Sequence, residues 1–260
     1  MKDITAIILA AGLGVRMGPR GRLTPKGLIP LGGRPMVAQS LDTLRAAGIG
    51  RIRIVTGHLA EQYRDAHGAD ADVELIHNAD YDRTGSLRTL QVGLQGIEGA
   101  CVILESDLVY APQGLAAALA GGSRLVTSGP TGAGDEVYVW TGAGDALNLI
   151  SKDRAARADT PFGELVGITA LDAEAVAAMR GVAPRVLAET PAEHYEMGLV
   201  ALGQDRAVPC VRIDDLPWAE VDDEAMLARA ERLVMPRLDA ARADWPGMAA
   251  PRRQAALDRT

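Results

Sequence analysis

Arg16 and Lys26 stand in the settings of this chain that most directly suggest chemistry. Arg16 follows an apolar run that breaks into glycine, Ile7-Ile8-Leu9-Ala10-Ala11-Gly12-Leu13-Gly14-Val15-Arg16-Met17-Gly18, and Lys26 stands in Pro25-Lys26-Gly27-Leu28. Glycine lets backbone approach an anion closely because no Cβ intervenes. Successive N–H groups in such a turn form an anion-binding concavity. A guanidinium and an ammonium then add full charge where a chain of phosphates can lie. Two acidic stretches accompany them, Glu105-Ser106-Asp107 and Trp218-Ala219-Glu220-Val221-Asp222-Asp223. Strand-end carboxylates are well placed to hold a divalent cation, so Asp107 and a partner from the later stretch are candidate ligands. If that later stretch is extended, Glu220 and Asp222 point the same way. Each aspartate also has a plainer reading: Asp107 as a turn or capping residue, Asp222 or Asp223 as the cap of a final helix.

Two familiar phosphate motifs fail on spacing. The dinucleotide fingerprint G-x-G-x-x-G needs a glycine where Met17 stands, and the P-loop needs Gly-Lys-Ser/Thr where Lys26 precedes Gly27. The stretch instead resembles the signature of the nucleotidyltransferases, L-A-A-G-x-G-x-R-M followed by P-K-x-L, at Leu9, Ala10, Ala11, Gly12, Gly14, Arg16, Pro25, Lys26 and Leu28. Apart from the tail, the chain looks most like the small cytidylyltransferases that activate phosphocholine or 2-aminoethylphosphonate. That resemblance implies transfer of CMP from CTP to a small phosphate or phosphonate acceptor, with Mg2+ as cofactor. It implies that Arg16 and Lys26 neutralise the triphosphate and that Asp107 and Asp222 hold the metal. Lys152, in Ile150-Ser151-Lys152-Asp153-Arg154 ahead of Gly163-Glu164-Leu165-Val166-Gly167-Ile168, would orient the acceptor's phosphorus group. Asn78, Thr84, Gly85 and Ser86 match a segment beside the nucleotide base. Ser86 alternatively caps a helix. Tyr195, Glu196, Trp218 and Glu220 are the candidates for the acceptor's cationic end. With few aromatic residues for a cage around a quaternary ammonium, the primary amine of an aminoalkylphosphonate is favoured.

The elements that must position these residues alternate along the first half. Ile4 to Leu9 is a continuous apolar strand of the kind buried on both faces of a parallel sheet. Further strands are expected at Ile52 to Thr56, Val73 to His77 and Cys101 to Glu105, with helices at Met36 to Ala47, Ser86 to Leu94 and Leu115 to Leu119. This pattern predicts an α/β fold with a doubly wound, Rossmann-like, mostly parallel sheet. After about Gly122, short strands at Leu125 to Thr127, Val137 to Trp140 and Leu147 to Ile150 suggest a small antiparallel acceptor-binding subregion laid over the first half. Helices are read at Leu171 to Met179, Ala192 to Leu202 and Glu224 to Val234, and a strand at Val208 to Ile213. The expected division is a nucleotidyltransferase domain over residues 1–235, with its nucleotide half at about 1–122 and its acceptor half at about 123–235. A loosely ordered extension over 236–260 is expected to follow.

Composition narrows the partners. Across 260 residues, 48% are hydrophobic and 3% aromatic with a single Phe, so the core is aliphatic. A net charge of −7 argues against nucleic acid as the main partner. Cys101 and Cys210 give no disulfide framework, and the four histidines lack zinc-ligand spacing. No apolar run reaches the roughly 18 residues of a membrane span. The first residues read as a strand rather than a leader, so a cytoplasmic enzyme is expected. A homodimer is left open. Three other readings are open on sequence: a sugar-1-phosphate uridylyl- or guanylyltransferase, a non-catalytic nucleotide-sensing module, and a nicotinamide-dependent dehydrogenase. The missing third glycine counts against the last.

Overall fold

The computed structural model describes residues 4–245. Its first strand, Thr5–Ala10, is buried along its whole length and lies between parallel neighbours Ile52–Thr56 and Cys101–Glu105. Alternation of its side chains explains why the run is apolar throughout. Ala6, Ile8 and Ala10 enter one core with Met17, Met36 and Leu104, whereas Ile7 and Leu9 enter the other with Leu87, Leu90 and Leu199. Each fully buried Ile or Leu of this kind contributes about 1.5–3 kcal/mol.

From edge to edge the sheet runs Leu147–Ser151, Tyr138–Thr141, Gly163–Leu171, Cys101–Glu105, Thr5–Ala10, Ile52–Thr56 and Val73–His77, with Arg124–Ser128 and Cys210–Ile213 branching from Gly163–Leu171. The Thr5–Glu105 part is parallel, as the β-α-β alternation predicts. Gly163–Leu171 reverses the direction, pairing antiparallel with Cys101–Glu105, Arg124–Ser128 and Tyr138–Thr141. The antiparallel strands therefore extend the same sheet instead of lying over its first half. A separate ribbon, Trp218–Glu220 against Leu108–Tyr110, crosses near the end of the central strands.

Two further expectations need correction. Leu171 ends the nine-residue strand Gly163–Leu171, and the helix read at Leu171 to Met179 starts two residues later as Ala173–Glu189, capped by Asp172. A short continuous apolar run does not distinguish strand from helix by period. The expected loose extension also gives way, over its first residues, to the helix Met235–Ala243, whose Leu238 is fully buried. That helix continues directly from Glu224–Arg229 through the π-helical turn Ala230–Val234, and Pro236 follows that turn, the kind of local irregularity at which a helix accommodates a missing N–H. The remainder of the expected extension, 246–260, lies outside the described residues.

Candidate functional site

A cleft of ≈ 570 Å³ opens over the carboxyl ends of the two central strands, bordered by Leu9, Ala10 and Ala11 on one and Glu105 to Asp107 on the other. This is where open α/β sheets place their ligands. One part of the cleft is built on the glycine turn. Gly14 takes φ +63°, and a Cβ there would approach the Lys26 side chain to 3.2 Å, so the turn and the lysine stem pack directly on each other. The Lys26 ammonium lies between the carboxylates of Asp107 and Asp222 and is paired to both. Burial opposes its charge, but the two aspartates outweigh that cost and raise its pKa. Asp107 and Asp222 are 6% and 1% exposed, so without Lys26 Asp107 would be a buried unpaired charge and Asp222 would keep only Arg16.

The two aspartates come together through the Trp218–Glu220 ribbon. Glu220 pairs with Leu108 in register, and the Val221 N–H donates to the Asp107 carbonyl at 3.0 Å. The chain leaves the ribbon with Asp222 facing the cleft, while Asp223 caps the next helix by accepting from the Met226 N–H at 2.7 Å. The two plausible cap residues are thereby separated: Asp223 caps, Asp222 does not.

The part of the cleft adjoining Asp107 is acidic. Glu105, Asp107 and Glu220 each offer a carboxylate oxygen, all within 4.8 Å of one another. An all-oxygen donor set of this kind suits a hard divalent cation. Burial, with Glu196 and Asp107 nearby, pushes the Glu105 carboxyl up to about 8. Burial first, then Glu105 and Asp107, holds Glu220 well above the usual carboxylate range. Glu196 is raised as well, chiefly by burial. Tyr195, 2% exposed, donates its hydroxyl to Glu105 Oε1 at 2.6 Å. Glu196 Oε2 is buried with no hydrogen-bond partner among the described residues. Gly167 fits this part by its shape: at φ +84° its bare Cα faces Glu105, and a Cβ would come within 2.9 Å of Oε1.

Most residues expected from sequence line this cleft: Leu9, Ala10, Ala11, Gly12, Arg16, Lys26, Thr84, Gly85, Ser86, Asp107, Lys152, Tyr195, Glu196, Glu220 and Asp222. Gly14 supports it from behind Lys26. Asn78 stands outside the lining. It is 1% exposed, accepts from the Asp80 N–H at 3.0 Å and donates to Thr89 Oγ1 at 3.2 Å, so it shapes the turn behind the wall. Trp218 faces an adjoining chamber of ≈ 30 Å³, space on the scale of water rather than of a substrate. Ser86 does not cap its own helix, whose N-cap is Gly85. Its hydroxyl accepts from the Tyr195 N–H at 3.0 Å and so serves the start of the helix Tyr195–Asp205.

Arg16 and Lys152 meet through a residue the sequence did not suggest. Asp135 accepts from Arg16 Nη1 at 2.6 Å and from Lys152 Nζ at 2.8 Å, while the other arm of Arg16 pairs with Asp222. Glu105 was also passed over, although it begins the quoted Glu105-Ser106-Asp107. Its place at the end of a buried strand was the available signal. Asp135 had none, since it sits in a glycine-rich segment without periodicity.

Comparison with known proteins agrees with this architecture. The model of the MobA-like NTP transferase domain matches residues 6–157. The 2-aminoethylphosphonate cytidylyltransferase of Lancefieldella rimae is 38% identical over 109 residues, 42% of this chain and 44% of that protein. The CMP-5'-(3-aminopropyl)phosphonate synthase of Streptomyces rubellomurinus is 35% identical over 112 residues, 42% of this chain and 18% of that protein. In both cases the match spans less than half of the relative's length. In fold, the chain is similar to the CTP:phosphocholine cytidylyltransferase from Streptococcus pneumoniae, with a TM-score of 0.71 at 19% identity, covering 89% of this chain and 99% of that one. Among the described residues no helix is long and apolar enough to cross a membrane.

Proposed function

Since the chain belongs to the MobA-like NTP transferase family of nucleotidyltransferases, we propose that it transfers CMP from CTP to a small phosphonate or phosphate bearing an amine- or choline-type cation. Pyrophosphate is released and magnesium is required. The observation that carries this reading is the mixed charge lining the cleft. Arg16, Lys26 and Lys152 line it together with the buried carboxylates of Glu105, Glu196 and Glu220, and Asp107, paired to Lys26, lies within 4.8 Å of Glu105 and Glu220. A zwitterionic acceptor offers an anion to the cations and a cation to the buried carboxylates, whereas a neutral sugar offers them no cation. The names of the Lancefieldella and Streptomyces relatives support the same acceptor class.

In the reaction, an acceptor oxygen attacks the α-phosphorus of CTP. A new P–O bond forms and the α–β P–O bond breaks, with its electron pair leaving on pyrophosphate. The acceptor is already ionised at neutral pH, so no protein nucleophile and no strong base are needed. The barrier is repulsion between anions, and positioning with charge neutralisation lowers it. Lys26, fixed between Asp107 and Asp222, would neutralise the charge that develops on the phosphates. Arg16 offers a planar fork to the triphosphate and Lys152 a compact charge to the acceptor's phosphorus group. Asp107 and Asp222 are the residues that would hold magnesium. When bound, the ion would add neutralising charge at the phosphates.

The test is pyrophosphate release with magnesium, pairing CTP, UTP, GTP or ATP with 2-aminoethylphosphonate, phosphocholine or glucose 1-phosphate. The expected result is turnover with CTP and a cationic acceptor. Turnover with glucose 1-phosphate alone would overturn the acceptor assignment, and preference for another nucleotide would overturn the cytidylyl assignment.

A further inference from the structure

The segment 129–137 carries one carboxylate to the two exposed cations of the cleft. Asp135 bridges Arg16 and Lys152 at 2.6 and 2.8 Å, and both cationic side chains are more than half exposed. Lys26, in contrast, is 17% exposed and pinned between buried aspartates. We propose that Asp135 is a built-in counterion that occupies the place of a substrate phosphate between Arg16 and Lys152, and that phosphate entry proceeds by displacing it. The inference rests on the reading that these two cations receive phosphates.

Energetics favour exchange at this pair. Exposed ion pairs hold by about 0.2–1 kcal/mol each, so a phosphate, with more charge and more acceptor oxygens than one carboxylate, outcompetes it. Arg16 stays aimed after the exchange because its other arm is held by Asp222. The segment is also shaped to let go. Its base is fixed, with the Thr131 N–H donating to Glu164 at 3.0 Å and Arg229 donating to the Thr131 carbonyl at 2.6 Å. Beyond that anchor come Gly132 at φ +60° and Gly134 at φ +91°, neither with a neighbour inside 4 Å of a built Cβ. Beneath the segment lies the small chamber lined by Trp218 and Met226, so it does not rest on close-packed core.

The experiment is titration calorimetry of inorganic tripolyphosphate, without magnesium and at fixed ionic strength, into the wild-type protein, Asp135→Asn and Glu136→Gln. Glu136→Gln removes the same charge one residue away, from a carboxylate that accepts only within the segment, from the Gly134 N–H at 2.9 Å. Asp135→Asn should bind about three- to tenfold more tightly than wild type, the worth of two exposed pairs. Glu136→Gln should change affinity by less than about twofold. Equal or weaker binding by Asp135→Asn, with wild-type binding measurable, overturns the counterion role alone and makes Asp135 a support for Arg16 and Lys152. Equal tightening by both variants also overturns it, because net charge would then explain the effect. No binding to any of the three overturns the phosphate reading of the cleft and this inference with it. Asp135→Ser gives the same comparison if the asparagine variant folds poorly.

Discussion

The two parts of the cleft are built by opposite strategies. In the phosphate part, the turn, Arg16 and Lys26 come from one stretch of fewer than thirty residues, and their charges are balanced by Asp107 and Asp222 before any ligand arrives. In the acidic part, Glu105, Tyr195, Glu196 and Glu220 come from three distant segments, and burial pushes the three carboxyls toward the neutral form, which Lys26 and Lys152 only partly offset. The first part is preorganised and electrostatically closed. The second is left with a deficit that a cationic group from outside removes. In the proposed reaction this division assigns catalysis to the first part and choice of acceptor to the second.

Breaking the first part should have the largest effect. Lys26→Met should lower kcat by about a thousandfold while raising the KM for CTP far less, because a group aimed at developing charge acts mostly in the transition state. Steady-state kinetics separates these, and an equal loss of affinity and turnover would assign Lys26 to binding alone. The same variant leaves Asp107 and Asp222 buried without their ammonium, so its Tm should also fall. A cut in the second part should be smaller and selective. Glu220→Gln should raise the KM for a cationic acceptor about tenfold and leave the KM for CTP within about twofold, the loss of one charged partner.

The same contrast governs what could be read from the sequence. The phosphate part was legible because Leu9 to Arg16 and Pro25 to Leu28 keep their chemistry within local spacing, and the parallel strands announced themselves as apolar runs between helical patterns. Asp107 and Asp222 were legible as strand-end carboxylates. Asp135 was not, because its partners Arg16 and Lys152 come to it through three separate pieces of chain. The strand Gly163–Leu171 was missed although all nine of its residues are buried. Its glycines resemble punctuation, yet Gly167 is there because the strand bulges toward Glu105. The register with Arg124–Ser128 shifts between Leu165 and Thr169, on either side of it.

Two smaller effects sharpen the comparison. Gly167→Ala should destabilise the fold by about 1–2 kcal/mol, since φ +84° and the Glu105 contact both oppose a Cβ. Urea denaturation would show this, and an unchanged midpoint would mean that the bulge relaxes freely. Asp172→Ala removes a helix cap remote from the cleft and should cost about 1 kcal/mol at neutral pH without changing kcat. Burial works against the Asp172 charge, but the Ala175 N–H at 2.8 Å and the Ser123 hydroxyl at 2.9 Å outweigh it and lower its pKa. The cap's contribution is therefore complete above the unfolded carboxylate value of about 3.9 and is lost as pH falls through the lower folded value. Wild type and variant should converge in stability in that acid range; a gap that persists there would mean the loss came from packing.

The most direct test of the two-part cleft compares 2-aminoethylphosphonate with propylphosphonate, which has the same length and no charge at its far end, in CTP-dependent pyrophosphate release. The account predicts a kcat/KM for the amine about a hundredfold higher, the worth of one buried charge finding its partner. Equal kcat/KM values for the two phosphonates would contradict it, because Glu105, Glu196 and Glu220 would then play no part in choosing the acceptor.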